Sequence, residues 1–205
     1  MPRIIGGSMR GRKLLFSGDP RTRPMKDRVR EAVFNLVGPA VAGTHAIDLF
    51  AGTGALGLEA ISRGAGRGTF IEQHFPTAEL IRRNAAELGV TKICTVAPAN
   101  TFIWAKRFLG AGGQAQPAPL TARNEPAPEQ RWLVFCSPPY AFYVDREPEM
   151  LELIVGLIDR APPESVFVVE ADERFDFGEL PRNDAWDVRV YPPAHVGILR
   201  TPGTN

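Results

Sequence analysis

The sequence predicts an α/β protein with a mostly parallel sheet, helices on both faces, and a small β-hairpin at the N-terminus. Short apolar segments typical of strands alternate along the chain with helical patterns, as in β-α-β units. A glycine-rich turn joins the first of these strands to the next helix. The 205 residues, of which 44% are hydrophobic and 23% charged, suit one globular domain with at most an appendage.

The first 40 residues are predicted to form an extension of this domain. Apolar residues at 4–5 and 14–16 flank a glycine-containing stretch, which is typical of a hairpin. A helical pattern then opens at Thr22-Arg23-Pro24, where proline suits a first helical turn, and ends at Gly38-Pro39. We therefore divide the chain into a basic extension, residues 1–40, and an α/β domain, residues 41–205.

The α/β domain contains the alternating elements. Strands are predicted at residues 44–50, 68–72, 93–96, 132–136, 165–170, 186–191 and 195–200. Helices are predicted at residues 55–63, 76–88, 102–109 and 148–160. The glycine- and proline-rich stretch near residues 110–130 interrupts this alternation and is predicted to be a flexible surface insertion.

The net charge of +1 conceals an asymmetry along the chain. Residues 1–30 hold nine basic and two acidic side chains, whereas the remaining residues carry a net charge of −6. A basic segment of this kind favours a polyanionic partner at one end of the molecule, although a solvated tail is the simpler alternative. Basic residues on a folded hairpin would bind phosphates with a smaller loss of entropy than a flexible arm.

Several classes of protein are disfavoured by the composition. The chain has no apolar run of about 18 residues that could span a membrane, and its N-terminus lacks the apolar stretch of a secretory signal. Cys94 and Cys136 lie in strand-like segments, and with three scattered histidines they do not suggest a zinc site. We expect a reduced, cytoplasmic protein with no metal, no membrane span and no disulfide.

The glycine-rich turn indicates a nucleoside-containing ligand. Gly52, Gly54 and Gly57 have the G-x-G-x-x-G spacing, which lets a ligand approach the backbone closely at the carboxyl end of a strand. Glu72 ends the next strand, where a carboxylate can accept hydrogen bonds from both ribose hydroxyls. A dinucleotide remains possible, but Asp48 stands before the glycines, where an acid can bind the methionine ammonium of S-adenosylmethionine.

A second motif follows the fourth predicted strand. Ser137-Pro138-Pro139-Tyr140 cannot continue a central strand, because proline lacks an N–H donor. The prolines instead predict a stiff loop, rich in carbonyl acceptors, at the sheet edge where ligands bind. Methylation of a base amine needs such acceptors for the N–H groups, and Tyr140 could stack on the base.

These motifs, with residues 3–14, 22–35 and 48–65, resemble the RsmD-type methyltransferases of bacteria. Family members methylate the N2 amine of one guanine in 16S ribosomal RNA. The likeness covers nearly the whole chain apart from residues 110–130. It implies a Rossmann-like class I methyltransferase fold with seven strands, S-adenosylmethionine as cofactor, the 30S particle or a precursor as partner, and a monomer.

The resemblance also implies a set of site residues. The catalytic loop would be Ser137, Pro138, Pro139 and Tyr140. The cofactor would be bound by Asp48, Phe50, Ala51, Gly52, Gly54, Glu72, Gln73 and Asn100. The RNA would be bound by Arg3, Arg10, Arg12, Lys13, Arg21, Thr22, Arg23, Pro24, Lys26 and Arg28.

The chain departs from the family pattern at two of these positions. Ser137 stands where the family's loop usually begins with Asp or Asn, so a shorter and uncharged acceptor replaces a longer one. After the third strand, Asn100 is the one polar residue of Ala97–Asn100 that could bind the adenine of the cofactor. Two alternatives remain at this stage, a non-catalytic RNA-binding or ribosome-assembly module of the same fold, and an NAD-dependent oxidoreductase.

Overall fold

The computed structural model describes residues 1–18, 25–110 and 130–203, and these contain one seven-stranded sheet. The strands are β1 (His45–Asp48), β2 (Arg67–Ile71), β3 (Cys94–Ala97), β4 (Trp132–Cys136), β5 (Val166–Ala171), β6 (Asp187–Tyr191) and β7 (Ala194–Arg200). The α-helices are α1 (Asp27–Val37), α2 (Ala55–Ser62), α3 (Phe75–Glu87), α4 (Thr101–Leu109), α5 (Phe142–Asp145) and α6 (Glu147–Arg160). Every strand and helix predicted within residues 41–205 is present.

The strand order is β3-β2-β1-β4-β5-β7-β6, and β7 alone among these strands runs in the opposite direction. The order in which the chain adds strands reverses between β1 and β4, which are paired in parallel. Ligands of open α/β sheets bind at such a switch point, beyond the carboxyl ends of the strands. The inserted antiparallel β7 differs from the order 3-2-1-4-5-6 of dinucleotide-binding sheets.

The sheet separates two apolar layers. Successive strand residues point to opposite faces, so Phe135 packs with the layer of α1 and α2 while Val134 packs with that of α4 and α6. All eight residues of α2 are buried, because this helix lies between the sheet and the N-terminal segment. Parallel pairing places the carboxyl ends of β1, β4 and β5 side by side.

Two predicted features near the N-terminus differ from the structure. The first helix begins at Asp27. The prediction that residues 25–26 already belong to it is wrong, because Lys26 has an extended backbone (ψ 141°), and the start predicted at residues 22–24 cannot be compared with the structure. The hairpin is present only as an antiparallel bridge between Arg3 and Lys13, with hydrogen bonds from Ile4 N to Arg12 O and from Leu14 N to Pro2 O, each 2.9 Å. Residues 19–24 and the predicted insertion at 111–129 lie outside the described residues.

Within the described ranges, no helix is long and apolar enough to cross a membrane. The same residues contain no group of three or more acidic, histidine or cysteine side chains arranged for a metal ion. Cys94 and Cys136 are both free, on strands that β2 and β1 separate.

Candidate active site

The glycine-rich turn connects β1 to α2 at the carboxyl edge of the sheet. Gly52 and Gly54 have positive φ angles of 51° and 77°, a conformation that residues with a side chain rarely adopt. Gly57 has a different role, since a Cβ on it would lie 2.4 Å from the ring of Phe70. The first two glycines therefore shape the turn, and the third lets α2 pack on β2.

Glu72 follows β2 and is fixed against this turn. Its Oε2 accepts a hydrogen bond of 2.9 Å from Gly52 N, and its Oε1 accepts one of 2.7 Å from His74 N. A carboxylate oxygen has two lone pairs, so each oxygen keeps one acceptor site for a further donor. The carboxylate is thus oriented to accept hydrogen bonds from a pair of hydroxyls, such as those of a ribose.

Asp48 is a buried carboxyl at the end of β1, with 1% of its surface exposed. Its Oδ2 accepts a hydrogen bond of 3.2 Å from Gly57 N, in the first turn of α2, whereas its Oδ1 is buried without a partner among the described residues. Burial raises the pKa of Asp48 to about 7, and the negative charge of Glu72 adds to the rise, while the N–H groups of Gly57 and Phe50 oppose it. An orphaned buried oxygen of this kind suits a cationic donor.

The predicted catalytic loop begins directly after β4. Pro138 is buried and Tyr140 is half-buried, while Pro139 is exposed. Phe142 N donates to Pro139 O at 2.9 Å and Tyr143 N donates to Tyr140 O at 3.2 Å, so the loop closes into the start of α5. No described group donates to the carbonyl of Pro138, which leaves it available as an acceptor.

Glu170 on β5 joins the two ends of this loop. The hydroxyl of Tyr140 donates to Glu170 Oε1 at 2.8 Å, and the hydroxyl of Ser137 donates to Glu170 Oε2. Burial raises the pKa of Glu170, and both of these hydrogen bonds lower it in turn. This residue was not predicted from the sequence, although an acid is conspicuous in a strand whose other residues are all apolar.

Asp48 and the catalytic loop lie on adjacent strands. Asp48 is in register with Phe135 of β4, two residues before Ser137. Phe50 of the turn belongs to an aromatic cluster, in which its ring centroid lies 6.0 Å from those of both Phe102 of α4 and Phe142 of α5. The structure therefore brings the predicted cofactor and base residues to one edge of the sheet, with Phe50 engaged in packing.

The N-terminal segment, residues 1–18, is attached to the body of the molecule. Glu59 of α2 is fully buried and accepts hydrogen bonds of 2.7 Å from both Ile5 N and Gly6 N. Asn84 of α3 accepts a hydrogen bond of 2.7 Å from Leu15 N and donates to Thr53 O at 3.2 Å. Asn84 thus links the segment to the glycine-rich turn.

The domain division at residue 40 stays a prediction.

The residues predicted to bind RNA fall into two groups, those that are exposed and those that lie outside the described part of the chain. The following are exposed: Arg3, Arg10, Arg12, Lys13, Lys26 and Arg28. Two of these have partners, because Arg3 forms an ion pair of 3.1 Å with Asp27 and Arg12 donates to Glu87 O. The residues Arg21, Thr22, Arg23 and Pro24 lie outside the described part of the chain. Arg30, one of the nine basic residues of the N-terminus, is completely buried.

Asn100 has a structural role that was not predicted from the sequence. Its Oδ1 caps α4 by accepting hydrogen bonds from Phe102 N and Ile103 N, at 3.0 and 3.3 Å. Its Nδ2 donates to Gln73 Oε1 at 3.2 Å. The side-chain amide is thus engaged on both sides, and a role in reading adenine stays a prediction.

Comparison with known proteins identifies the family. The family model described as conserved hypothetical protein 95 matches residues 2–185. The chain belongs to this family. It is the RsmD-type family that the sequence motifs resemble.

Curated and solved members of the RsmD-type family agree with this assignment. The ribosomal RNA small subunit methyltransferase D of Escherichia coli is 48% identical over 86 residues, which are 42% of this chain and 43% of that protein. Its counterpart in Buchnera aphidicola from Acyrthosiphon pisum is 31% identical over 137 residues, 67% of this chain and 62% of the relative. The chain thus spans about half the length of the curated relatives it matches.

The solved structure of an Escherichia coli protein, provisionally described as a methyltransferase, covers more of the chain. It superposes with a TM-score of 0.74 and 28% sequence identity over 99% of both chains. The class I methyltransferase fold predicted from the sequence is therefore confirmed.

Proposed function

We propose that the chain is an S-adenosylmethionine-dependent methyltransferase that modifies the exocyclic N2 amine of a guanine in small-subunit ribosomal RNA. The observation that carries the proposal is the meeting, on adjacent strands, of the orphaned Asp48 Oδ1 and the Ser137–Tyr140 loop. Membership in the RsmD-type family supports the RNA substrate. We also propose the cytoplasm as its location and a monomer acting on the 30S particle or a precursor.

The residues fit the cofactor at both of its polar ends. Asp48 Oδ1 would accept a hydrogen bond from the methionine ammonium, and Glu72 would accept from the ribose hydroxyls. When bound, the cofactor supplies an electrophilic methyl group, and its transfer to the amine releases one proton and leaves a thioether. No metal and no covalent protein intermediate is needed for this reaction.

The loop residues would hold the target base. The Pro138 carbonyl and the Ser137 hydroxyl oxygen would accept hydrogen bonds from the two N–H groups of the amine. These two hydrogen bonds would orient the nitrogen lone pair for in-line attack on the methyl group. Tyr140 would stack on the base. A guanine within a stem could not reach this edge, so the target is expected in a loop or flipped out of its helix.

Tyr140→Ala is expected to lower turnover about 5- to 100-fold, since stacking of a base on an aromatic side chain contributes about 1–3 kcal/mol. Binding of S-adenosylmethionine should be unchanged, because Asp48 and Glu72 are untouched. The measurement is methyl transfer to 30S particles alongside a calorimetric titration of the cofactor. Tyr140→Phe is the matched control, since it keeps the ring and should lose less activity. Unchanged turnover in the alanine variant would exclude the stacking role.

Arg10→Ala combined with Lys13→Ala is expected to weaken RNA binding at low salt and to make the dependence of affinity on salt shallower. Both side chains are exposed, and the slope of log K against log salt falls by about one for each phosphate that is no longer bound. Affinity would be measured with 16S RNA between low and physiological salt. Lys92→Ala, also at an exposed lysine, provides the control. Equal slopes in the double variant and the control would contradict the proposed RNA surface.

A further inference from the structure

Glu170 is a buried carboxyl that the proposed function has not used. It is 6% exposed and lies among the apolar residues of β5. Its two oxygens accept hydrogen bonds from the hydroxyls at the two ends of the catalytic loop, those of Ser137 and Tyr140. Burial of a carboxylate is unfavourable unless its oxygens are hydrogen-bonded, and these two hydroxyls supply the hydrogen bonds here.

The hydrogen bonds to Glu170 fix the direction in which both hydroxyls donate their hydrogen. A serine or tyrosine hydroxyl has one hydrogen and two lone pairs. Ser137 and Tyr140 each donate that hydrogen to the carboxylate, so the Ser137 hydroxyl has only lone pairs for a group that approaches from the substrate side. The Ser137 hydroxyl is therefore an acceptor toward the substrate, and its hydrogen bond to a charged acceptor strengthens this property.

We infer that Glu170 is a positioning residue that turns Ser137 into an obligate hydrogen-bond acceptor, so that the site selects a base carrying an exocyclic amine. This inference rests on the proposed function and deepens it. It explains how a serine serves at the start of the catalytic loop, where the RsmD-type pattern has a residue with its own carbonyl or carboxylate oxygen. A keto oxygen or an unprotonated ring nitrogen at the same place is itself an acceptor. It would face the lone pairs of Ser137 without a hydrogen bond, so a base that presents such an atom would bind less tightly.

Glu170→Gln tests this arrangement, because glutamine has nearly the same shape but reverses one hydrogen bond. Its NH₂ donates to one of the two hydroxyls, which must then direct its own hydrogen elsewhere. We expect kcat to fall about tenfold or more, as when one hydrogen bond to a charged group is removed. The affinity for S-adenosylmethionine should stay within about twofold of the wild type. Glu173→Gln, at an exposed acid beyond the same strand, is the control and should retain full activity.

Rescue by Ser137→Asp separates positioning from a merely structural role. In the Glu170→Gln background, the introduced aspartate can accept from the substrate amine without any help from residue 170, while the glutamine amide donates to it. We expect this double variant to recover kcat to within about threefold of the wild type. Glu170→Gln with unchanged kcat, or a loss that Ser137→Asp does not restore, would overturn the inference.

Binding of nucleosides tests the inference without relying on turnover. Guanosine and inosine differ in the 2-amino group, and the cofactor-loaded wild-type protein should prefer guanosine, by nuclear magnetic resonance titration, about fivefold or more. Glu170→Gln should weaken this preference, because only the Pro138 carbonyl then remains as a fixed acceptor for the amine. Equal affinity of the wild type for the two nucleosides overturns the inference. A preference for guanosine without methyl transfer to 30S particles would support the inference and count against the proposed function instead.

Discussion

Asp48→Asn is expected to abolish measurable binding of S-adenosylmethionine while making the ligand-free protein more stable. The carboxyl is buried and Oδ1 has no partner among the described residues, so its ionised form is unfavourable until a cation binds. Asparagine keeps an oxygen for Gly57 N but has no charge. Loss of the ion pair to the methionine ammonium should weaken binding about 100-fold or more, as when one partner of a desolvated pair is removed.

The gain in stability follows from the direction of the pKa shift. Burial raises the pKa of Asp48 from 3.8 to about 7, so the folded protein binds a proton more tightly than the unfolded chain. The free energy of unfolding of the ligand-free protein therefore falls as pH rises between about 4 and 7, by at most about 4 kcal/mol. Asp48→Asn should lack this fall and be the more stable protein at pH 8, with a small difference at pH 4.

Thermal unfolding with and without S-adenosylmethionine measures both effects. The cofactor should raise the Tm of the wild type in proportion to the logarithm of its concentration, and leave Asp48→Asn unchanged. Asp159→Asn, at an exposed acid on α6, is the control for the loss of one negative charge. Cofactor binding by Asp48→Asn at wild-type affinity would contradict the assigned role of this carboxyl.

Glu59→Ala is expected to destabilise the protein by about 3–5 kcal/mol, the range for breaking a buried ion pair. Glu59 accepts from Ile5 N and Gly6 N and pairs with Arg63 at 2.8 Å. The fully buried Arg30 has its Nε 3.8 Å from the same carboxylate and would be left without that counter-charge. The variant thus removes the anchor of the N-terminal segment and leaves buried donors unsatisfied.

Urea denaturation and amide hydrogen exchange test this expectation together. Protection should fall first at the amides of Ile5 and Gly6, and RNA affinity should fall with it, since the basic residues lose their fixed positions. Glu79→Ala is the control. It removes the surface ion pair between Glu79 and Arg82, both on α3, and should change stability by less than about 1 kcal/mol. A Glu59→Ala protein as stable as this control would show that the N-terminal segment is held by other contacts.

Much of the fold could be predicted from the sequence, because its signals are local. Alternation of strands and helices, and glycines at the turn after Asp48, depend on neighbouring residues. The Ser137–Tyr140 loop could be predicted for the same reason, since two successive prolines cannot continue a central strand. The first helix is predicted too early because Pro24 suits a helix start in isolation, whereas the backbone at Lys26 is extended.

The residues that could not be predicted have partners far along the chain. Glu170 is 33 positions from Ser137, and Glu59 is 54 from Ile5, so no local pattern joins them. Each nevertheless is a single acid within an otherwise uncharged element, β5 or α2, and that is a usable signal. Arg30 lies on the buried stripe of α1, which the charge count alone could not reveal.

The most direct test of the proposed function is methyl transfer from labelled S-adenosylmethionine to 30S particles from cells that lack the endogenous enzyme, followed by nucleoside analysis. The site predicts one labelled product, N2-methylguanosine, at a single position in a loop or flipped-out base. Label in a different nucleoside would contradict the assignment of the amine. The absence of label, in a protein that binds S-adenosylmethionine, would contradict the proposed reaction and favour an RNA-binding module that keeps the methyltransferase fold.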